Sequence, residues 1–66
     1  MKGYDGNEVN VGDRVELHPG CDLWMQGARY GEATRVFVLK GRDKVQVVLD
    51  KVSGTRTFPA NRVRAL

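Results

Sequence analysis

Apolar residues in this chain recur with a period of two over short runs, the signature of strands with one buried face. The clearest run is Lys44 to Leu49, where Val45, Val47 and Leu49 alternate with Lys44, Gln46 and Val48. Asp50-Lys51-Val52-Ser53-Gly54 then supplies turn chemistry, and Thr55-Arg56-Thr57-Phe58 resumes an extended, β-branched pattern that Pro59 ends. Upstream, Arg14 to His18 predicts a strand with Val15 and Leu17 inward and Arg14, Glu16 and His18 on the outer face. Ala28 to Leu39 is the longest extended candidate. Gly31 and Ala33 are small enough for a close backbone crossing, and Val36-Phe37-Val38-Leu39 is apolar on both faces. Lys40-Gly41-Arg42-Asp43 reads as a tight turn.

Between the first two strands, Cys21 to Gly27 has no period of two and reads as an excursion loop whose Leu23, Trp24 and Met25 cover one end of the core. After Pro59, Ala60-Asn61-Arg62 makes one helical turn, and Val63 to Leu66 a last strand with Val63 and Leu66 buried and Arg62 and Arg64 outside. The sum is an all-β fold, a small five-stranded SH3-like barrel with a long first loop and a short helical turn before the last strand. Residues 1–8, with two glycines and little to bury, are expected to form a flexible N-terminal tail, and residues 9–66 the barrel. An apolar stretch at Val36 to Leu39 in so small a protein implies strong curvature into a closed barrel or a partner on its second face.

With 66 residues the chain is one domain whose core supplies roughly 3–5 kcal/mol. Cys21 is the single cysteine, so no internal disulfide can assist. No apolar run reaches the ~18–20 residues that cross a bilayer, and the first residues lack a signal peptide's apolar segment, so a cytoplasmic location and no membrane contact are expected. Charge is polarised along the sequence. Residues 1–34 carry three Lys or Arg against six Asp or Glu, a net −3, whereas residues 35–66 carry eight against two, a net +6. Such asymmetry steers polyanions to one side of a molecule.

Val11-Gly12-Asp13-Arg14-Val15 opening a strand, the long first loop, Arg29-Tyr30-Gly31-Glu32 starting the second strand, the hairpin, and Phe58-Pro59 followed by Val63 and Leu66 together resemble SH3-like barrels of the KOW and Tudor kind. That resemblance implies fold more than function. The chain is also similar to the type II dihydrofolate reductases, small barrels with a Gly-Asp-Arg-Val opening whose tetrameric pore binds folate and nicotinamide through a Val-Gln-Ile-Tyr run before a proline. The matching positions here read Thr55-Arg56-Thr57-Phe58, so the pore glutamine is an arginine and the tyrosine hydroxyl is gone. Leu49-Asp50-Lys51-Val52 resembles a turn of the photosystem I reaction-centre subunit IV barrels, whose role is structural docking.

Catalytic chemistry is sparsely provided. His18 is the one imidazole, no Ser or Cys stands at a recognisable nucleophile spacing from it, and no glycine-rich phosphate cradle occurs. No enzyme activity, cofactor or metal site is expected; a reductase of the dihydrofolate type is the third reading. The first is a binding module in which Arg35, Lys40, Arg42, Lys44, Gln46, Arg56, Arg62 and Arg64 form a basic strip against DNA or RNA phosphates. The second is a protein-interaction or assembly module, pairing with itself or a larger assembly through Leu23, Trp24, Met25, Tyr30, Val36, Val38 and Val48. The two readings separate on whether the basic side chains share one face.

Overall fold

The computed structural model describes all 66 residues. It is all-β: β1 (Arg14–Leu17), β2 (Tyr30–Leu39), β3 (Arg42–Leu49), β4 (Thr55–Pro59) and β5 (Val63–Ala65) form one antiparallel sheet in the order β4-β3-β2-β1-β5. A four-residue helix α1 (Asp22–Met25) lies in the first loop, and a 3₁₀ turn (Ala60–Arg62) joins β4 to β5. The expected loop from Cys21 to Gly27 thus contains one helical turn. Gln26 N–H closes it on the Asp22 and Leu23 carbonyls.

Edge strands β4 and β5 are consecutive in sequence, and this forces the sheet to curl. Laid flat, the outer strands of a five-stranded sheet stand about 19 Å apart, whereas the chain from Pro59 to Val63 reaches about 14 Å fully extended and less as a 3₁₀ turn. The sheet is nevertheless not closed, since no ladder joins β4 to β5. The closed barrel expected from the sequence is corrected to an open, curled sheet. Pro59, which has no N–H to donate, sits on the β4 edge. On the other side, the first residues cover β5.

Those residues are not the loose tail their composition suggests. Lys2 bridges Glu8, Val9 N–H donates to the Met1 carbonyl at 2.8 Å, and Tyr4 N–H donates to the Val63 carbonyl at 2.9 Å. The terminal ammonium pairs with Glu8, and the Tyr4 ring meets His18 edge-on with centroids 4.9 Å apart. The segment is held because β5 is an edge strand of the sheet, and backbone groups on its outer side need partners.

The core is small and aliphatic. Val9, Val15, Leu17, Ala28, Ala33, Val45, Val47, Leu49 and Val63 form one buried cluster, against which Leu23, Trp24, Val36 and Phe58 pack from the rim. Cross-strand register places Val15 opposite Gly31 and Ala65, Leu17 opposite Val63, and Ala33 opposite Val47, so the period-two positions read from the sequence share the inner face. The C-terminal position differs from expectation. Leu66 is 62% exposed because β5 ends at Ala65 and nothing packs beyond it.

Gly31 shows how the curl is made. A Cβ there would stand 2.5 Å from the Val48 carbonyl oxygen, 2.7 Å from Val47 Cγ1 and 3.0 Å from Leu49 Cα, so β3 occupies the space that any side chain would need. Farther along, Thr34 is an extra residue between Ala33, paired with Val47, and Arg35, paired with Gln46. This bulge is pinned by Thr34 Oγ1 donating to the Gln46 carbonyl at 3.3 Å. The β2–β3 connection is a two-residue turn, with Leu39 opposite Arg42 and with Lys40 (φ 53°) and Gly41 (φ 76°) both left-handed.

Leu17 is completely buried at the centre of this cluster. Leu17→Ala is expected to cost about 2–5 kcal/mol, close to the whole stability of a domain this small, and to leave much of the protein unfolded at 25 °C. Urea unfolding followed by circular dichroism checks this; a midpoint within error of the parent's would contradict the assigned core.

Candidate nucleic-acid interface

Side-chain direction on a strand follows from parity, and the bulge at Thr34 resets it. Before the bulge, Gly31 and Ala33 face inward; after it, Val36 and Val38 do, while Arg35, Phe37 and Leu39 face out. Arg35 stands opposite Gln46, Phe37 opposite Lys44, and Leu39 opposite Arg42, so three cations, an amide, an aromatic ring and a leucine share the outer face of the β2–β3 hairpin beyond the bulge, with Glu32 and Val48 on the same face before it. Thr57 and Pro59 of β4 continue the two central rows. Lys40 sits in the turn at the end of this surface.

The rows are organised by a stack. The Arg35 guanidinium carbon lies 4.6 Å from the centre of the Phe37 ring, two residues along the same strand face. A cation over an aromatic face is held electrostatically while its N–H donors project from the edge of the plane, available to a further acceptor. Holding the long side chain beforehand also reduces the entropy it would lose on binding.

The strip proposed from sequence divides in space. Arg35, Arg42, Lys44 and Gln46 come together, with Lys40 beside them. Arg56 is opposite Val47, on the inward parity of the edge strand, and is exposed there. Arg62 lies in the 3₁₀ turn, on the side of the molecule where His18 N–H donates to the Arg62 carbonyl at 2.7 Å. Arg64 is on β5 and is occupied: its Nε donates to Glu16 Oε1 at 2.6 Å.

The residues suggested for protein contact are also dispersed. Leu23 and Trp24 are half-buried on α1, with the Arg29 guanidinium 4.7 Å from the Trp24 ring centre, and Met25 is 81% exposed. Tyr30 is opposite Glu16, Val36 and Val38 are on the inner parity of the distal hairpin, and Val48 is on the outer face opposite Glu32 and Thr55. They do not form one patch.

Ion pairing sharpens the charge asymmetry. Arg14 clasps Asp50 through two bonds of 3.0 and 2.6 Å, and Arg64 holds Glu16, so the paired arginines lie toward β1 and β5. None of Arg35, Lys40, Arg42 and Lys44 has a carboxylate within ion-pair distance. Asp43 is the one carboxylate on the distal hairpin; it stands opposite Val38, on the inward parity. Around it a shallow cavity of about 240 Å³ is lined by Lys2, Arg42, Asp43, Pro59, Ala60 and Asn61.

No three His, Cys, Asp or Glu side chains stand close enough to hold a metal ion. Cys21 is a free, half-buried thiol, and His18 Nδ1 accepts from Gly20 N–H at 2.9 Å. No helix is long and apolar enough to cross a membrane. Sequence reasoning missed the Phe37 platform and the exposure of Leu39, because both depend on the Thr34 bulge. The adjacent β-branched run offers no local sign of that bulge. No family model, curated protein or solved structure matches the chain.

The Glu16–Arg64 pair ties β1 to β5 and is only partly solvated, with Glu16 also accepting from the Tyr4 hydroxyl at 3.3 Å. The Arg64 hydrogen bond, opposed by burial, holds the Glu16 carboxyl below the usual range. A depressed folded-state value contributes stability that is present above the unfolded glutamate pKa, about 4.3, and is lost as pH falls through the folded value. Urea midpoints measured from pH 7 to pH 2.5 should therefore fall below about pH 4, and Glu16→Gln should be less stable at pH 7 with a flatter acid limb. Superimposable pH profiles for the two proteins would refute this role.

Proposed function

We propose that this protein is a non-enzymatic binding module that grips a nucleic-acid backbone through the outer face of the β2–β3 hairpin. The observation that carries the reading is the convergence of Arg35, Arg42, Lys44 and Gln46 on one face, with no carboxylate paired to any of these cations. Rows across a sheet are about 4.8 Å apart and same-face positions along a strand about 7 Å apart, a spacing comparable to successive phosphates of a nucleic-acid strand. Stacking of Arg35 on Phe37 fixes the central donor, and the Gln46 amide beside it adds an uncharged one. Phosphate contacts of this kind position the ligand and carry no sequence information themselves.

Fluorescence anisotropy with short labelled DNA and RNA at several salt concentrations tests the proposal. Affinity should fall linearly with log salt, by about 0.7–0.9 in log K per phosphate neutralised, and the Arg42→Glu/Lys44→Glu double variant should lower both the affinity and that slope. The Lys51→Glu variant, changed just past the end of β3 opposite to Arg42, should retain most of the binding. No binding at low salt, or a salt-independent affinity, would overturn the assignment.

A further inference from the structure

The end of the β2–β3 hairpin is built differently from the rest of the surface. β4 accompanies β3 only as far as Lys44, and the β1 side accompanies β2 only as far as Ala33, whose backbone N–H and carbonyl bond to Asp13 and Gly12. From Val38 onward the hairpin is therefore a two-stranded ribbon. It carries Val38 at 65% and Leu39 at 50% exposure, capped by Lys40-Gly41 and flanked by Arg42. Exposed leucine and valine at a tip are unfavourable in water and contribute nothing to the core, which is complete without them.

Resting on the backbone-binding reading above, we infer that the ligand is B-form duplex DNA and that this tip enters its major groove. Charge complementarity selects the class of partner: Arg42, Lys44 and Arg35 share the outer face with Leu39, Lys40 sits in the turn beyond them, and the one carboxylate of the ribbon, Asp43, is on the opposite face with Val38. Dimensions select the form. A B-DNA major groove, about 12 Å wide and 8.5 Å deep, admits a two-stranded ribbon, and the three residue steps from Phe37 to Lys40 reach about 10 Å. The A-form major groove of duplex RNA is too narrow and deep to admit it. With the tip inserted, Arg35 and Lys44 on the shaft meet the phosphates flanking the groove. Leu39, on the outer face with the cations, then lies against base edges, where thymine methyl groups offer apolar surface, while Val38 is on the opposite face beside Asp43.

Anisotropy with a DNA duplex, an RNA duplex of the same sequence and the single strands, alongside Leu39→Ser and Val38→Ser, tests this. The DNA duplex should bind tightest. Leu39→Ser should weaken DNA binding on the order of tenfold while leaving the salt slope unchanged, because it removes apolar contact and no charge. Thermal unfolding of the serine variants at the parent's temperature would show that the tip is not part of the core. Guanine N7 methylation of the duplex, which obstructs the major groove, should reduce binding, and a minor-groove ligand should not. Equal affinity for all four nucleic acids, or a Leu39→Ser affinity equal to the parent's, would overturn the groove inference while leaving the backbone grip standing. Absence of any nucleic-acid binding would remove both.

Discussion

The fold depends on a position with no side chain. At Gly31 the backbone of β3 lies so close to β2 that a single methyl group would collide with the Val48 carbonyl. Ala33, two residues on, keeps the inner face of β2 shallow, and Val47 and Leu49 from β3 fill the space over both. A flat arrangement of these five strands could not be joined at its ends by a three-residue turn; the curl permitted at Gly31 brings β4 and β5 within its reach. β5 can then pair with β1 and place Val63 against Leu17. The close approach, the aliphatic core and the short 3₁₀ connection are one constraint seen from three sides.

The candidate interface is what this constraint leaves outside. Curling the sheet uses the inner faces of β1, β3, β5 and the first part of β2, and it ends where the Thr34 bulge turns the strand. Beyond Val36 and Val45, which still reach the core, the hairpin runs past the other strands, so its last residues answer to solvent and to whatever the protein binds. Cations without carboxylate partners accumulate there. Arg14 on β1 and Arg64 on β5 are paired instead, with Asp50 and Glu16.

Much of the framework is legible in the sequence, because period-two alternation is a direct image of burial on a half-covered sheet. Val15, Leu17, Val45, Val47, Leu49 and Val63 are all read correctly in this way. The features that escape such reading are those determined by a distant partner. Met1 to Glu8 look like a tail until β5 offers them an edge, Leu66 looks buried until the strand ends one residue earlier, and sheet closure cannot be judged from strand count. In the site, polarised charge along the chain is visible at once, yet its spatial division is not. Arg64 meets a glutamate 48 residues away, and Arg56 turns to the opposite parity from its neighbours in the proposed strip.

Position 31 offers the most direct measurement because two effects there have opposite signs. Considered by propensity alone, Gly31→Ala inside a strand should stabilise the protein by about 0.5–1 kcal/mol. Considered as a filled close approach with backbone on the far side, it should destabilise by about 1–3 kcal/mol. Urea unfolding of Gly31→Ala beside the parent protein decides between them: the account predicts a clearly lower midpoint, and a midpoint equal to or above the parent's would contradict it.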